Sequence, residues 1–117
     1  MEYRKLRIWE QANNLAHEVY KTIVSFPSSE IFGLTSQIRR AVLSIPTNIV
    51  EGSSRKSKKE FLNFLNIAIG SANELDYLLQ FAFEEKLIKE TEYKSLKNHL
   101  EVLFKSIWAF YNYLKKV

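Results

Sequence analysis

The spacing of apolar residues constrains this chain most strongly, because four successive segments repeat with the period of an amphipathic helix. The inner face of the first segment consists of Trp9, Ala12, Ala16, Val19, Ile23 and Phe26. That of the second consists of Leu34, Ile38, Ala41, Ile45 and Ile49. The inner face of the third segment consists of Phe61, Leu65, Ala68, Ala72, Leu75, Leu79 and Ala82. That of the fourth consists of Tyr93, Leu96, Leu100, Leu103, Ile107, Phe110 and Leu114. These heptad-like seams predict helices that cross at about 20° in a bundle.

The connections between the segments are short, which favours antiparallel neighbours. The first helix is expected to end before Pro27, since proline cannot continue it. The second is expected from about Ser29 to Ser54, and the fourth from about Lys89 to Lys115. The third begins at Ser57, where Ser57 and Glu60 have the spacing of a capping box. We predict an all-α fold, an antiparallel up-down-up-down four-helix bundle.

Pro46 lies in the middle of the second helix, where its ring crowds the carbonyl of Val42 and it has no N–H to donate. A kink of more than about 20° is expected there. Ser44, Thr47 and Asn48 surround the break and can hydrogen-bond to the freed backbone groups. We interpret Pro46 as a shaping residue that sets the direction of the flanking arginines.

Composition excludes several classes of protein. With 46% apolar and 26% charged residues in 117, the chain is globular and forms one domain, residues 1–117. It has no cysteine, so disulfides and thiolate metal sites are excluded and a cytoplasmic location is expected. No window approaches the roughly 20 apolar residues of a membrane span, so no membrane association is expected.

Catalytic motifs are missing. His17 and His99 have no histidine or carboxylate at metal-ligand spacing. Glu84 and Glu85 are adjacent and therefore point to different helix faces. Phosphate-binding loops and nucleophile elbows are not present in the sequence. We predict a protein that is not an enzyme and binds neither a metal nor a cofactor.

Positive charge is concentrated between Gly33 and Lys59, where six cations are opposed only by Glu51, a balance of +5 in a chain of net charge +4. The cations are Arg39, Arg40, Arg55, Lys56, Lys58 and Lys59. The last four coincide with the start of the third helix, whose unpaired N–H groups and macrodipole favour anions. We therefore predict these six residues as nucleic-acid contacts. A solvated helix face, or ion pairs between subunits, are the alternative interpretations.

The third and fourth helices carry more apolar residues than one inner face requires. The additional residues are Leu62, Phe64, Ile67, Ile69, Leu78 and Phe81 on the third, and Phe104, Trp108 and Tyr111 on the fourth. One buried stripe per helix would leave them exposed, and extended exposed apolar surface marks interfaces. We therefore expect a homo-oligomer. A polar stripe of Asn63, Asn66, Gly70 and Asn73 either lines an oligomer channel, contacts RNA or faces water, and Gly70 permits close approach of another helix.

The motif LTSQIRRAVLSIPTNIVEG, followed by RKSKKEF, resembles the signature of the four-helix-bundle proteins encoded in 23S ribosomal RNA intervening sequences. The segment LRIWEQANNL is similar to the opening of their first helix, so the resemblance covers about the first 85 residues. It implies a small, cytoplasmic, non-enzymatic bundle that assembles as a homopentamer. Relatives include the accessory subunit of diversity-generating retroelements, a similar bundle that binds nucleic acid alongside a reverse transcriptase.

Two functions stay open at this point. The first is a homo-oligomeric adaptor that binds RNA or DNA through the six cations, with RNA slightly favoured by the resemblance. The second is a protein-protein interaction scaffold, such as a reverse-transcriptase accessory subunit, that makes no direct contact with nucleic acid. Binding that disappears at high salt indicates the first, because phosphate contacts release counterions.

Overall fold

The computed structural model describes residues 1–117 and consists of helices joined by short connections. The four α-helices are α1 Arg7–Ile23, α2 Leu34–Ser53, α3 Lys58–Glu84 and α4 Glu90–Lys116. Two short 3₁₀ helices, Tyr3–Lys5 and Ser28–Glu30, precede α1 and α2. The prediction of an all-α four-helix bundle is confirmed. None of the helices combines the length and the apolar character that crossing a membrane requires.

Contacts between α2 and α3 show that these helices run antiparallel. The hydroxyls of Ser44 and Ser71 lie 2.7 Å apart near the middle of both helices. Gly52, close to the end of α2, lies against Phe61 and Phe64, close to the start of α3. The short connection between them therefore reverses the chain direction.

The pairing of α3 with α4 is antiparallel as well. The rings of Phe61 and Phe110 have centroids 5.6 Å apart, while those of Phe83 and Tyr93 stack at 4.4 Å. The start of α3 thus meets the end of α4. The result is a rod of 45 × 25 × 20 Å.

The core lies along the axis of the rod and is almost entirely apolar. Every predicted inner-face residue is buried except Trp9, Tyr93 and Phe110, which are half-buried and pack against the core. The buried polar side chains are Thr22, Thr35 and Ser53. Because this core contains no charged group, its contribution to stability comes from removing apolar area from water.

The connection between α1 and α2 differs from the prediction. The second α-helix begins at Leu34 and not near Ser29, because Ser28–Glu30 forms a separate 3₁₀ turn. Gly33, with φ −112° and ψ −108°, leads into α2 from a conformation that is not helical. Phe32 points into solvent, so the inner stripe of α2 has no member before Leu34.

Two residues of the additional apolar set are buried, contrary to expectation. Ile69 and Leu78 belong to the core, because α3 packs against both α2 and α4 and so buries a wider arc than one stripe. Ile67, Phe81 and Trp108 are exposed as expected. The remaining members are half-buried: Leu62, Phe64, Phe104 and Tyr111.

The helix around Pro46 is continuous from Leu34 to Ser53, and the angle of the expected kink stays a prediction. The side-chain amide of Asn48 donates to the carbonyl of Ser44 at 2.7 Å and to its hydroxyl at 3.0 Å. Since that hydroxyl also contacts Ser71, the polar neighbours of Pro46 join α2 to α3. Thr47 is exposed and takes no part in this network.

The capping box at the start of α3 is present with one difference. The backbone N–H of Glu60 donates to the Ser57 hydroxyl at 3.1 Å, as the motif predicts. That hydroxyl in turn lies 3.1 Å from the carboxylate of Glu60, so the carboxylate accepts from the hydroxyl. The cap fixes the residue at which α3 begins.

Candidate nucleic-acid interface

The up-down topology brings three separate stretches of the chain to one end of the rod. The α-amino group of Met1 donates to the carbonyl of Ser53 at 2.9 Å. Arg7, at the start of α1, borders the same groove as Phe110 near the end of α4. We define this basic end as residues 1–10, 51–62 and 106–117.

The basic end holds most of the positive charge of the molecule. It contains nine arginines and lysines against four glutamates, a side-chain balance of +5. The other residues hold the remaining eight cations and nine acidic groups, a balance of −1. The nine cations are Arg4, Lys5, Arg7, Arg55, Lys56, Lys58, Lys59, Lys115 and Lys116. The net charge of the chain is therefore located at one pole of the rod.

Four of the six predicted contacts lie at this basic end, and all four are exposed: Arg55, Lys56, Lys58 and Lys59. Arg55 pairs with Glu51 at 3.4 Å, and its guanidinium lies 4.9 Å from the centroid of the Phe64 ring. The three lysines make no ion pair. Their charges are therefore available to a ligand.

Arg39 and Arg40 lie elsewhere, so the six predicted residues do not form one patch. At 1.5 Å per residue, the distance along α2 from Arg40 to Ser53, two residues before Arg55, is about 20 Å. The guanidinium of Arg39 lies 5.7 Å from the centroid of the Tyr20 ring on α1. Both arginines are exposed, but they belong to the middle of the rod and to different faces of α2.

Five cations of the basic end were missed by the sequence analysis: Arg4, Lys5, Arg7, Lys115 and Lys116. They lie at opposite ends of the chain, so no local charge run includes them. The predicted topology was the available signal, because in an up-down bundle the start of α1 and the end of α4 share one end.

Lys58 and Lys59 occupy the first turn of α3, where the helix macrodipole disfavours cations. The acidic residue of that turn is Glu60, whose carboxylate accepts the Ser57 hydroxyl. The free N–H groups at the helix start and the ammonium groups of the two lysines thus place positive charge on the same turn. Such a terminus is suited to hold an anion.

A polar cluster between α1 and α4 lacks the geometry of a catalytic site. Nδ1 of His99 lies 2.6 Å from one carboxylate oxygen of Glu18. The hydroxyl of Ser95 donates to the other oxygen at 3.1 Å. Since the histidine does not contact the serine, it cannot activate that hydroxyl as a nucleophile. The carboxylate instead links α1 to α4, an interaction that spacing alone did not reveal.

Two further charged contacts involve Lys97 and Glu2. The ammonium of Lys97 donates to the carboxylate of Asp76 at 3.0 Å, and this hydrogen bond raises the pKa of Lys97. The pair connects α3 to α4. The backbone N–H of Arg4 donates to the carboxylate of Glu2 at 3.0 Å, which lowers the pKa of Glu2. No group of three or more His, Asp or Glu side chains is placed to hold a metal ion.

Known proteins share this architecture. One similar protein is a member of the S23 ribosomal protein family from Bacteroides thetaiotaomicron VPI-5482, whose function is unknown and whose crystal structure has a resolution of 1.70 Å. The two superpose with a TM-score of 0.81 at 26% sequence identity, covering 90% of this chain and 95% of that one. Comparison with curated proteins finds no match. The family model for the 23S rRNA-intervening sequence protein matches residues 4–109, and the chain therefore belongs to that family.

Proposed function

We propose that this protein is a non-enzymatic, cytoplasmic, homo-oligomeric adaptor that binds nucleic acid through its basic end. The observation that carries the proposal is the excess of nine cations over four glutamates at one pole of a rod only 25 × 20 Å in cross-section. Because the nine cations share one end of the rod, a polyanion that lies across this end meets several of them at once, and each phosphate contact releases condensed counterions.

The side chains favour contacts with phosphates. Six of the nine cations are lysines, which act as point charges and do not read base edges in the fixed geometry that arginine provides. Binding is therefore directed by the shape and charge of the nucleic acid and depends steeply on salt. RNA is the favoured polymer, because the family takes its name from an insertion in 23S rRNA.

Exposed apolar residues support the homo-oligomer. Ile67 and Phe81 on α3, and Trp108 on α4, remain accessible in the single chain. Gly70 lies on the exposed surface of α3, and no atom stands within 4 Å of the position that a Cβ would take there. A neighbouring helix could therefore approach α3 closely. A homopentameric ring joined along this face is our proposal for the assembly.

The test is binding of labelled hairpin RNA and duplex DNA, measured by fluorescence anisotropy at low salt. The variant Lys56→Ala/Lys58→Ala/Lys59→Ala removes three unpaired cations of the basic end. The matched control, Lys21→Ala/Lys89→Ala/Lys94→Ala, removes the same charge from exposed sites away from it. We expect the first to weaken binding at least about tenfold and the second to leave it nearly unchanged. Equal affinities of the two triple variants would overturn the proposal.

The exposed aromatic and aliphatic groups also favour a second function, a protein-protein interaction scaffold. In that case Ile67, Phe81 and Trp108 contact a protein partner, for which a reverse transcriptase is one example, and the charge serves docking alone. A purified wild-type protein that binds neither RNA nor DNA at low salt would favour the scaffold.

A further inference from the structure

The end of the rod opposite the basic end carries an apolar projection. In the connection between α1 and α2, Phe32 is 97% exposed, Val24 80% and Ile31 44%. A side chain as large as phenylalanine is seldom left this open, since burying it removes roughly 150–250 Å² from water. Together the three expose on the order of 400 Å², within the range of the largest apolar patch of a typical monomer. We call these three residues the apolar tip.

A groove lies at the same end as the apolar tip. It has a volume of about 550 Å³ and lies between the α1–α2 and α3–α4 connections. Its floor is apolar and its walls carry charges of both signs. The floor is formed by Phe83, Leu87 and Ile88, and the walls by Ser25, Glu84, Lys86, Lys89 and Glu92. Ser25 follows Val24 directly, so the tip and the groove adjoin each other.

We propose that this end is a docking surface for a second copy of the chain, in which the apolar tip of each copy enters the groove of the other. A surface that carries a projection and a recess side by side can pair with an identical surface across a two-fold axis. The resulting contact is end to end, and it is separate from the lateral contacts that a ring requires.

The area supports this arrangement. Each copy buries at most on the order of 400 Å² at its tip and a smaller area of its groove, so two copies bury about 1,000 Å² in total, which reaches the lower limit for a specific interface. A tip that stood alone against a flat surface would bury far less. Reciprocal insertion is thus the arrangement that covers Phe32 and brings the buried area up to that limit.

The charges at this end agree with a copy of the chain and disfavour a polyanion. The groove walls carry two glutamates, Glu84 and Glu92, and two lysines, Lys86 and Lys89, so they have no net charge and offer both signs to an identical partner. The cationic excess lies at the other pole. End-to-end association therefore leaves both basic ends free. Because each rod is 45 Å long, the two basic ends lie about 90 Å apart, at opposite poles of the pair.

The first test is the particle mass of the full chain by sedimentation velocity over a range of concentrations. Phe32→Ser removes the exposed ring, and Val117→Ser is the matched control, because Val117 is an exposed apolar residue at the other pole. We expect the wild type and the control to reach twice the mass of Phe32→Ser, whatever the lateral subunit number. Equal masses for all three proteins would overturn the proposal and would indicate that the apolar tip binds a different protein.

The second test uses the absence of natural cysteine. Chains with Ile31→Cys are mixed with chains carrying Glu84→Cys and then oxidised, which leaves Phe32 and the groove floor intact. We expect a disulfide-linked species of twice the 13.8 kDa chain mass, formed faster than with Val117→Cys in place of Ile31→Cys. No difference between the two mixtures overturns the reciprocal arrangement. Neither test involves nucleic acid, so the outcome is independent of the function proposed above.

Discussion

Gly52, near the end of α2, has no room for a side chain. A Cβ at this position would lie 2.8 Å from Cδ1 of Phe61 and 2.8 Å from Cβ of Phe64. The Cβ of Phe64 moves only with the backbone of α3, so a change of rotamer cannot relieve the contact. Gly52→Ala must therefore displace the Phe61 ring and separate the two helices, and such overpacking costs about 1–3 kcal/mol.

Gly70 provides the matched control on α3. No atom lies within 4 Å of a Cβ placed there, and alanine is favoured over glycine inside a helix by about 1 kcal/mol. Gly70→Ala should thus raise the free energy of unfolding by about 0.5–1 kcal/mol. Gly52→Ala gains part of the same propensity, which leaves a net loss of about 1–2 kcal/mol.

Urea unfolding followed by circular dichroism measures both variants at a protein concentration low enough to keep the chain monomeric, because association adds to apparent stability and Gly70 lies on the face proposed for the homo-oligomer. We expect the two to differ by about 1.5–3 kcal/mol, with the wild type between them. A Gly52→Ala variant as stable as the wild type would refute the close approach of α2 and α3 from which the antiparallel packing is argued.

Three further changes test individual contacts. Lys58→Ala combined with Lys59→Ala should raise the free energy of unfolding by about 0.3–1 kcal/mol, because both cations oppose the dipole of α3; lower stability in a urea titration would contradict this. Glu18→Ala removes the acceptor that serves two side chains of α4 and should lower the free energy of unfolding by about 1 kcal/mol in the same titration. Asp76→Asn removes the carboxylate that accepts from Lys97 and should lower the pKa of Lys97, which an NMR titration of its ammonium group detects.

The helical period predicted the core well because the interior of a bundle depends on which residues share a face. Ile38, Ile45 and Leu65 are fully buried as their spacing requires. The helical period did not predict the start of α2, because a helical turn that does not pack against the core precedes it. Ser28–Glu30 forms a 3₁₀ turn outside the core, and Gly33, which separates it from α2, is a signal that apolar spacing does not contain.

The width of the buried face on α3 could not be predicted from the sequence either. Ile69 and Leu78 stand beside the inner stripe, and their burial depends on how α2 and α4 flank α3. Gly52 is a similar case, since its need for close packing appears only when Phe61 and Phe64 are placed opposite it. In the sequence, Gly52 lies two residues before the predicted helix end at Ser54, a place where glycine is common for reasons unrelated to packing.

The candidate site was predicted where charge is local and missed where it is assembled by topology. The run Arg55 to Lys59 is contiguous, so its lysines were identified directly. Arg7 and Lys115 are separated by almost the whole chain, and only the direction of α1 and α4 places them at one end. Arg39 was grouped with them by sequence distance, although it contacts Tyr20 in the middle of the rod.

The most direct test of the central claim is the salt dependence of duplex DNA binding by the wild type and the two triple lysine variants. If the three lysines of the basic end each neutralise one phosphate, their replacement makes the slope of log K against log salt shallower by about 2.7, since each contact contributes about 0.9. The control triple, Lys21→Ala/Lys89→Ala/Lys94→Ala, should keep the wild-type slope. A slope that changes equally in both variants, or in neither, would contradict the account.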